Sequence, residues 1–209
     1  MLKLSLTILI IFSLLFTSID CSIFKTDNSP ENYFMPLVIG NKWYYIFYPS
    51  RENDKIRAIS EIIAIDTIKN KKYYLVRNSN ILTDSIAEYY SRQRISNDTL
   101  FSLNYDNNSH QYFERIDAIF SLKLNQKVTI HIYDKIPDSE GKKAIEQLPQ
   151  MNSYIMQVIS KNKNIIEFVI DYGGADANYK ATYQRGVGLI KIINSWGVGK
   201  EINNYVIKD

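Results

Sequence analysis

Cysteine occurs once and histidine twice in this chain. A single thiol excludes any disulfide within one copy. The two histidines, His110 and His131, fall in no His-Glu-x-x-His or Cys/His spacing, so the ligand sets usual for a zinc centre are missing. Glycine (8) and proline (5) are scarce, which excludes collagen-like and low-complexity chains. Neither sign of charge dominates: 25 Lys and Arg against 22 Asp and Glu leave +3, with the lysines scattered among turns rather than gathered in a stripe. Nucleic acid is therefore not an expected partner. Helical periodicity is almost absent, and no G-x-S-x-G, phosphate-loop or dinucleotide fingerprint occurs.

What the chain has instead is aromatic and β-branched. Sixteen Tyr and nine Phe in 209 residues suit pleated, half-buried surfaces. Short extended runs follow one another from residue 33 onward: 41–48, 56–66, 73–78, 85–96, 99–105, 110–116, 127–133, 152–160, 165–172, 179–185, 188–195 and 201–208. Some alternate cleanly, as 127–133 does with Val128, Ile130 and Ile132 on one face. The run 56–66 alternates imperfectly. Turn residues such as "KNKK", Asn97-Asp98 and "KNKN" separate them, and this spacing predicts a mainly all-β, antiparallel fold of one domain over 33–209. The one amphipathic patch, "SEGKKAIEQLPQ" at 139–150, lies between Pro137 and Pro149 and reads as a long connection, either a lid or a solvated crossover loop.

The amino-terminal end carries a different signal. Lys3 precedes an apolar run from Leu4 to Ile19, shorter than the ~20 residues that span a bilayer. A positive charge, a short apolar stretch and a polar exit predict a signal peptide over 1–20, against the alternative of a buried core helix. The lone Cys21 follows at once. Its position resembles the lipid-attachment cysteine of bacterial lipoproteins, with Ser18 and Asp20 where that pattern has leucine and a small residue. The resemblance implies acylation at Cys21, a polar tether over 21–32, a membrane partner through the lipid anchor, and a place in the bacterial cell envelope, at the outer membrane. A soluble secreted form is the alternative.

Two segments of the body echo each other without gaps. "PLVIGNKW" (36–43) and "SLKLNQKV" (121–128) set Leu37 against Leu122, Ile39 against Leu124, Lys42 against Lys127 and Trp43 against Val128. Each is an apolar approach, a polar turn and a strand start, so two related halves, 33–116 and 117–209, are expected in one sheet. The opening "PLVIGNKWYY" and the closing "YQRGVGLIKI" (183–192) resemble a group of bacterial exported proteins and lipoproteins of the TapB and DUF3108 kind. That resemblance implies a fold like the LolA/LolB lipoprotein carriers, a strongly curved antiparallel sheet or open half-barrel. The motif residues have a physical reading of their own. Gly40 and Asn41 bend the chain into the first strand, and Trp43 caps one end of the core with its indole N–H near polar groups. Gly186 and Gly188 kink the chain between two strands; the alternative, an anion cradle, lacks a following helix.

Chemistry is thinly represented. Ser195, His131 and Asp134 assemble a triad only on paper. "DYGGADAN" (171–178) reads as a hairpin loop, with weak Ca²⁺ binding by Asp171, Asp176 and Asn178 as the alternative. "NDT" and "NNS" match a glycosylation acceptor that matters only in a eukaryotic secretory route. Adjacent tyrosines in "WYYIFY", "KKYYLV" and "AEYYSR" place one ring inward and one outward, either as packing or as a binding surface. The expectation is a non-catalytic binding or carrier-like domain without cofactor or metal, taking a lipid or other apolar ligand or an envelope component; the alternative is a surface interaction module with no pocket.

Overall fold

The computed structural model describes residues 33–48, 56–81, 85–106, 111–131, 153–174 and 177–208. The expected signal peptide (1–20), Cys21 with the expected tether (21–32) and the 139–150 patch lie outside them. The described residues form twelve strands: β1 Lys42–Tyr48, β2 Ala58–Ile68, β3 Lys71–Ile81, β4 Ile86–Ser96, β5 Thr99–Asp106, β6 Gln111–Ile119, β7 Lys127–His131, β8 Ser153–Lys161, β9 Ile165–Asp171, β10 Asn178–Gln184, β11 Gly188–Asn194 and β12 Gly199–Val206. Among the described residues there is no helix.

The strands make one antiparallel sheet in the order β6-β5-β4-β3-β2-β1-β12-β11-β10-β9-β8-β7. It curves past a half-barrel to near closure, leaving a single seam between β6 and β7. Closure of this kind leaves few exposed strand edges, which protects a chain so rich in Tyr and Ile. Side chains bridge the seam where backbone ladders do not. The Tyr154 hydroxyl donates to the Ile116 carbonyl, and the Lys161 ammonium donates to the carbonyls of Phe120 (3.0 Å) and Leu122 (2.6 Å).

Local chemistry explains the turns. Lys69-Asn70 and Asn97-Asp98 each hold two consecutive positive φ values, as a type I′ two-residue hairpin requires. The imperfect alternation of β2 is a bulge: Ile62 faces Val76 and Ala64 faces Leu75, so Ile63 is the extra residue. β8 repeats the device, with Ile159 extra between Val158 and Ser160.

The sequence echo is a structural repeat. Gly40 (φ 91) and Asn125 (φ 65) sit at equivalent places with positive φ. Gly40 N–H donates to Ile62 O and Ile62 N–H to Asn41 O; Asn125 N–H donates to Val158 O and Val158 N–H to Gln126 O. Leu37 and Leu122 are buried, whereas Ile39 (50%) and Leu124 (51%) stand equally exposed. Each half is thus a six-strand meander entered by the same turn and carrying the same bulge on its second strand.

Alternation along each strand separates an inner from an outer face. Trp43, Tyr45, Ile62, Val76, Leu100, Ile130, Met156, Val158, Ile166, Phe168, Ile170, Ala181 and Tyr183 point inward and belong to one buried cluster. Outside, Glu114 gathers Arg94, Lys71 and Tyr73 around its carboxylate, and the Arg94 guanidinium lies 4.1 Å from the Phe101 ring centroid. Burial alone would push Glu114 up. The hydrogen bonds from Arg94, Lys71 and Tyr73 outweigh it and hold the carboxyl at about 2.

Candidate functional site

The two ends of the barrel differ, and the difference begins with the two motifs. The turns at Gly40-Asn41, Lys69-Asn70, Asn97-Asp98 and 185–187 define the lower end. Residues 33–38 pass beneath it, burying Phe34, Met35 and Leu37. Phe34 stacks on Phe120 at 5.3 Å, and Phe120 meets Tyr183 edge-on at 5.2 Å. Asn41 is fully buried; its amide donates to Pro36 O (2.7 Å) and its side-chain oxygen accepts from Lys208 N–H (2.7 Å). The Trp43 indole N–H donates to Val187 O. Gly186 N–H donates to Tyr33 O at 2.7 Å, and Gly188, at φ +105, lies so close that a Cβ there would stand 2.9 Å from the Met35 sulfur and 3.3 Å from Trp43 Nε1. The structure thus brings Gly40, Asn41, Trp43, Gly186 and Gly188 together in one apolar plug. No anion cradle forms around these glycines: a strand follows them and an indole fills the space.

The upper half of the lumen is different in kind. Ser102 faces Arg115 in register, and Asp117 is the extra residue of a third bulge, between Ile116 and Ala118. That bulge turns the Asp117 carboxylate toward its own strand neighbour. Arg115 Nε donates to Asp117 Oδ1 at 2.9 Å and Ser102 Oγ donates to the same oxygen at 3.1 Å. Burial pushes the Asp117 carboxyl up, and the Arg115 charge and the two hydrogen bonds only partly offset it. Three tyrosines from β8 to β10 complete this wall: Tyr154 and Tyr172 rings lie 5.1 Å apart, Tyr172 and Tyr179 rings 5.8 Å apart, and the last two share a hydroxyl contact of 3.2 Å. Burial raises the Tyr154 and Tyr179 hydroxyls well above the ordinary tyrosine value, so they remain protonated donors.

The opposite wall continues the polar lining. Ser60 Oγ donates to Asn78 Oδ1 (2.8 Å), and Asn78 Nδ2 donates to Ser91 Oγ (3.0 Å). Gln93, between Tyr74 and Ser102 in register, holds a buried amide oxygen without a hydrogen-bond partner. Lys200 of β12 pairs with Phe47 of β1 and Ile192 of β11, and its ammonium lies 4.3 Å from the Tyr45 ring centroid. Burial holds that ammonium below the ordinary lysine value. Tyr89, on the inner face opposite Asn78, is 49% exposed, and the Arg115 side chain is 38% exposed. Inward-facing groups that remain this accessible mark a lumen that is wet at its upper end. The arrangement offers hydrogen-bond donors, aromatic faces and one positive charge: recognition chemistry.

Sequence reasoning expected one tyrosine of each adjacent pair inward without saying which; Tyr45, Tyr74 and Tyr89 lie on the inner face, while Tyr73 is buried on the other. It missed Arg115, Asp117 and Lys200. The available signal was "FERIDA", where charges at Glu114, Arg115 and Asp117 fall on both faces of one strand, so that neither face is an ordinary core. His131 is exposed, as its alternation implied, and Ser195 is exposed on the β11–β12 hairpin; His110, Asp134 and Asp176 lie outside the described residues. In the β9–β10 connection, Asp171 Oδ1 accepts from Gly173 N–H at 2.8 Å, as an Asx-type turn does. Among the described residues no group of three His, Cys, Asp or Glu is placed to hold a metal. No family model, curated protein or solved structure matches the chain.

Proposed function

We propose that this protein is an exported, lipid-anchored envelope protein whose barrel binds a small apolar or amphipathic ligand in its upper lumen without catalysis. The observation that carries this reading is the contrast between the two ends. The lower end is filled by the Phe34–Leu37 segment, while inward-facing Tyr89, Arg115 and Lys200 keep solvent access above. Clefts that pair apolar and aromatic walls with a few oriented polar groups are the usual form of ligand sites. The apolar run ending at Cys21 supports the anchor, and the likeness of "PLVIGNKWYY" and "YQRGVGLIKI" to exported lipoproteins supports the address. Chain direction adds a constraint, because Tyr33 enters at the lower end through its contact with Gly186. A tether joined there puts the plugged end toward the membrane and the wet lumen away from it.

The test is native mass spectrometry of membrane-extracted protein before and after organic extraction, with Cys21→Ala as the control for acylation. Mass for a diacylglyceryl group at Cys21 and a releasable small molecule are expected. An unprocessed amino terminus refutes the anchor, and a barrel that neither carries nor takes up any small molecule refutes the binding reading.

A second reading has its own observation. Phe47, Ile86, Tyr90, Tyr105, Trp196 and Val198 stand exposed around the upper end. Such a concentration of large apolar side chains marks a contact surface, so the barrel is alternatively an interaction module for an envelope component. Cross-linking in whole cells, with and without Trp196→Ser, separates the two: loss of a specific adduct in the variant supports the module.

A further inference from the structure

Among the described residues, every charge in the upper lumen has a partner except one. Arg115 and Asp117 neutralise each other at 2.9 Å. Lys200 makes no hydrogen bond or ion pair among the described residues, and only the Tyr45 ring lies beneath its ammonium. A lysine at a barrel mouth commonly extends its stem so that the amine sits in bulk water. Lys200 instead lies half-buried over an inward-facing aromatic ring, between Phe47 and Ile192, and partial loss of hydration holds its ammonium below the ordinary lysine value. A half-buried cation with no counterion among the described residues gains from an anion that completes the pair.

We propose that the upper lumen takes a small amphipathic carboxylate, with its anionic head on the Lys200 ammonium and its apolar body against the inward tyrosines Tyr154, Tyr172 and Tyr179. This deepens the ligand-binding reading and rests on it. The charge inventory selects the class. A cation meets Lys200 with no free carboxylate to offset it, because Asp117 is engaged by Arg115 and Ser102. A neutral alcohol gains the aromatic wall but leaves the ammonium uncompensated. Only a monoanion satisfies both the apolar surface and the single net charge. The head sits within reach of a charge-assisted hydrogen bond, which carries more affinity than a neutral one.

The experiment titrates octanoate, octan-1-ol and octylammonium into the full chain in nanodiscs by calorimetry, with empty nanodiscs as the reference. Octanoate is expected to bind about tenfold or more tightly than octan-1-ol, a difference of ~1.4 kcal/mol. Lys200→Gln should remove that preference, with an unchanged circular dichroism spectrum and urea midpoint showing that the variant's barrel is intact. Lys200→Arg should keep it. Equal binding of octanoate and octan-1-ol to the unmodified protein overturns the carboxylate assignment and leaves the ligand-binding reading standing. A preference for octylammonium overturns it as well. Failure of all three probes to bind overturns both.

Discussion

Replacing Gly188 by alanine tests how tightly the two motifs are joined. The new Cβ meets two obstacles. The backbone sits at φ +105, where an L side chain is strained by roughly 1–2 kcal/mol. The methyl group also lies 2.9 Å from the Met35 sulfur and 3.3 Å from Trp43 Nε1, closer than side-chain carbons approach without displacement. Neither neighbour retreats easily, since Met35 is buried and the Trp43 indole is tied to Val187 O. Overpacking of this kind adds roughly 1–3 kcal/mol, at the low end because a thioether adapts. The sum is about 2–4 kcal/mol. Gly197 is the control: its φ is +73 and nothing lies within 4 Å, so alanine there costs about 1 kcal/mol of strain alone. Urea unfolding followed by tryptophan fluorescence reads the difference. With a slope of about 2–3 kcal/mol/M, Gly188→Ala should lower the midpoint by roughly 1 M and Gly197→Ala by less than about 0.5 M. Met35→Ala should relieve part of the Gly188→Ala penalty as a positive coupling. Equal shifts for the two glycines would refute the packing argument, since strain alone would then account for both.

Asn41→Ala removes one buried and one part-buried hydrogen bond and orphans the buried Pro36 carbonyl, so a loss of about 2 kcal/mol is expected in the same urea assay. Asp117→Asn leaves Arg115 without its counterion, at a cost of about 2 kcal/mol given the partial exposure of the pair; joint replacement by Arg115→Met and Asp117→Leu should recover most of it, as read by thermal unfolding in circular dichroism. Glu114 has a folded pKa near 2, below its ordinary 4.5, so its contribution is complete above pH ~4.5 and vanishes as pH falls through ~2. Screening at this partly exposed site reduces that contribution to roughly 1–2 kcal/mol. Glu114→Gln should therefore be less stable than the native protein at pH 7 and converge with it near pH 2, which denaturant titrations across that range measure.

Strand positions were legible because each run carried its own alternation and its own turn residues. All twelve expected runs correspond to strands, with ends shifted by a few residues. The echo of 36–43 in 121–128 was legible for a related reason: a positive-φ turn followed by an inward residue leaves a pattern of Leu, polar pair and Lys in both places. Long-range partners left no such trace. Nothing local to "GKEINNYV" says that β12 pairs with β1, since that register is set by which apolar faces the closed sheet must bury. Lys200 looked like one more surface lysine for the same reason, and its inward orientation follows from its partners Phe47 and Ile192 rather than from its neighbours in sequence. Asp117 was hidden by its bulge, which breaks the parity by which faces are assigned.

The matching entry turns have a consequence for how the chain may be rewired. Because β1 and β7 begin with the same hydrogen-bonded device, and Lys208 is bonded to Asn41, the stretch 120–126 and a short linker from 208 back to 33 would be interchangeable junctions. A circular permutant opened within 120–126 would preserve every ladder while moving both termini to the slit between β6 and β7. There the sheet already does without backbone pairing, and a cut costs it least.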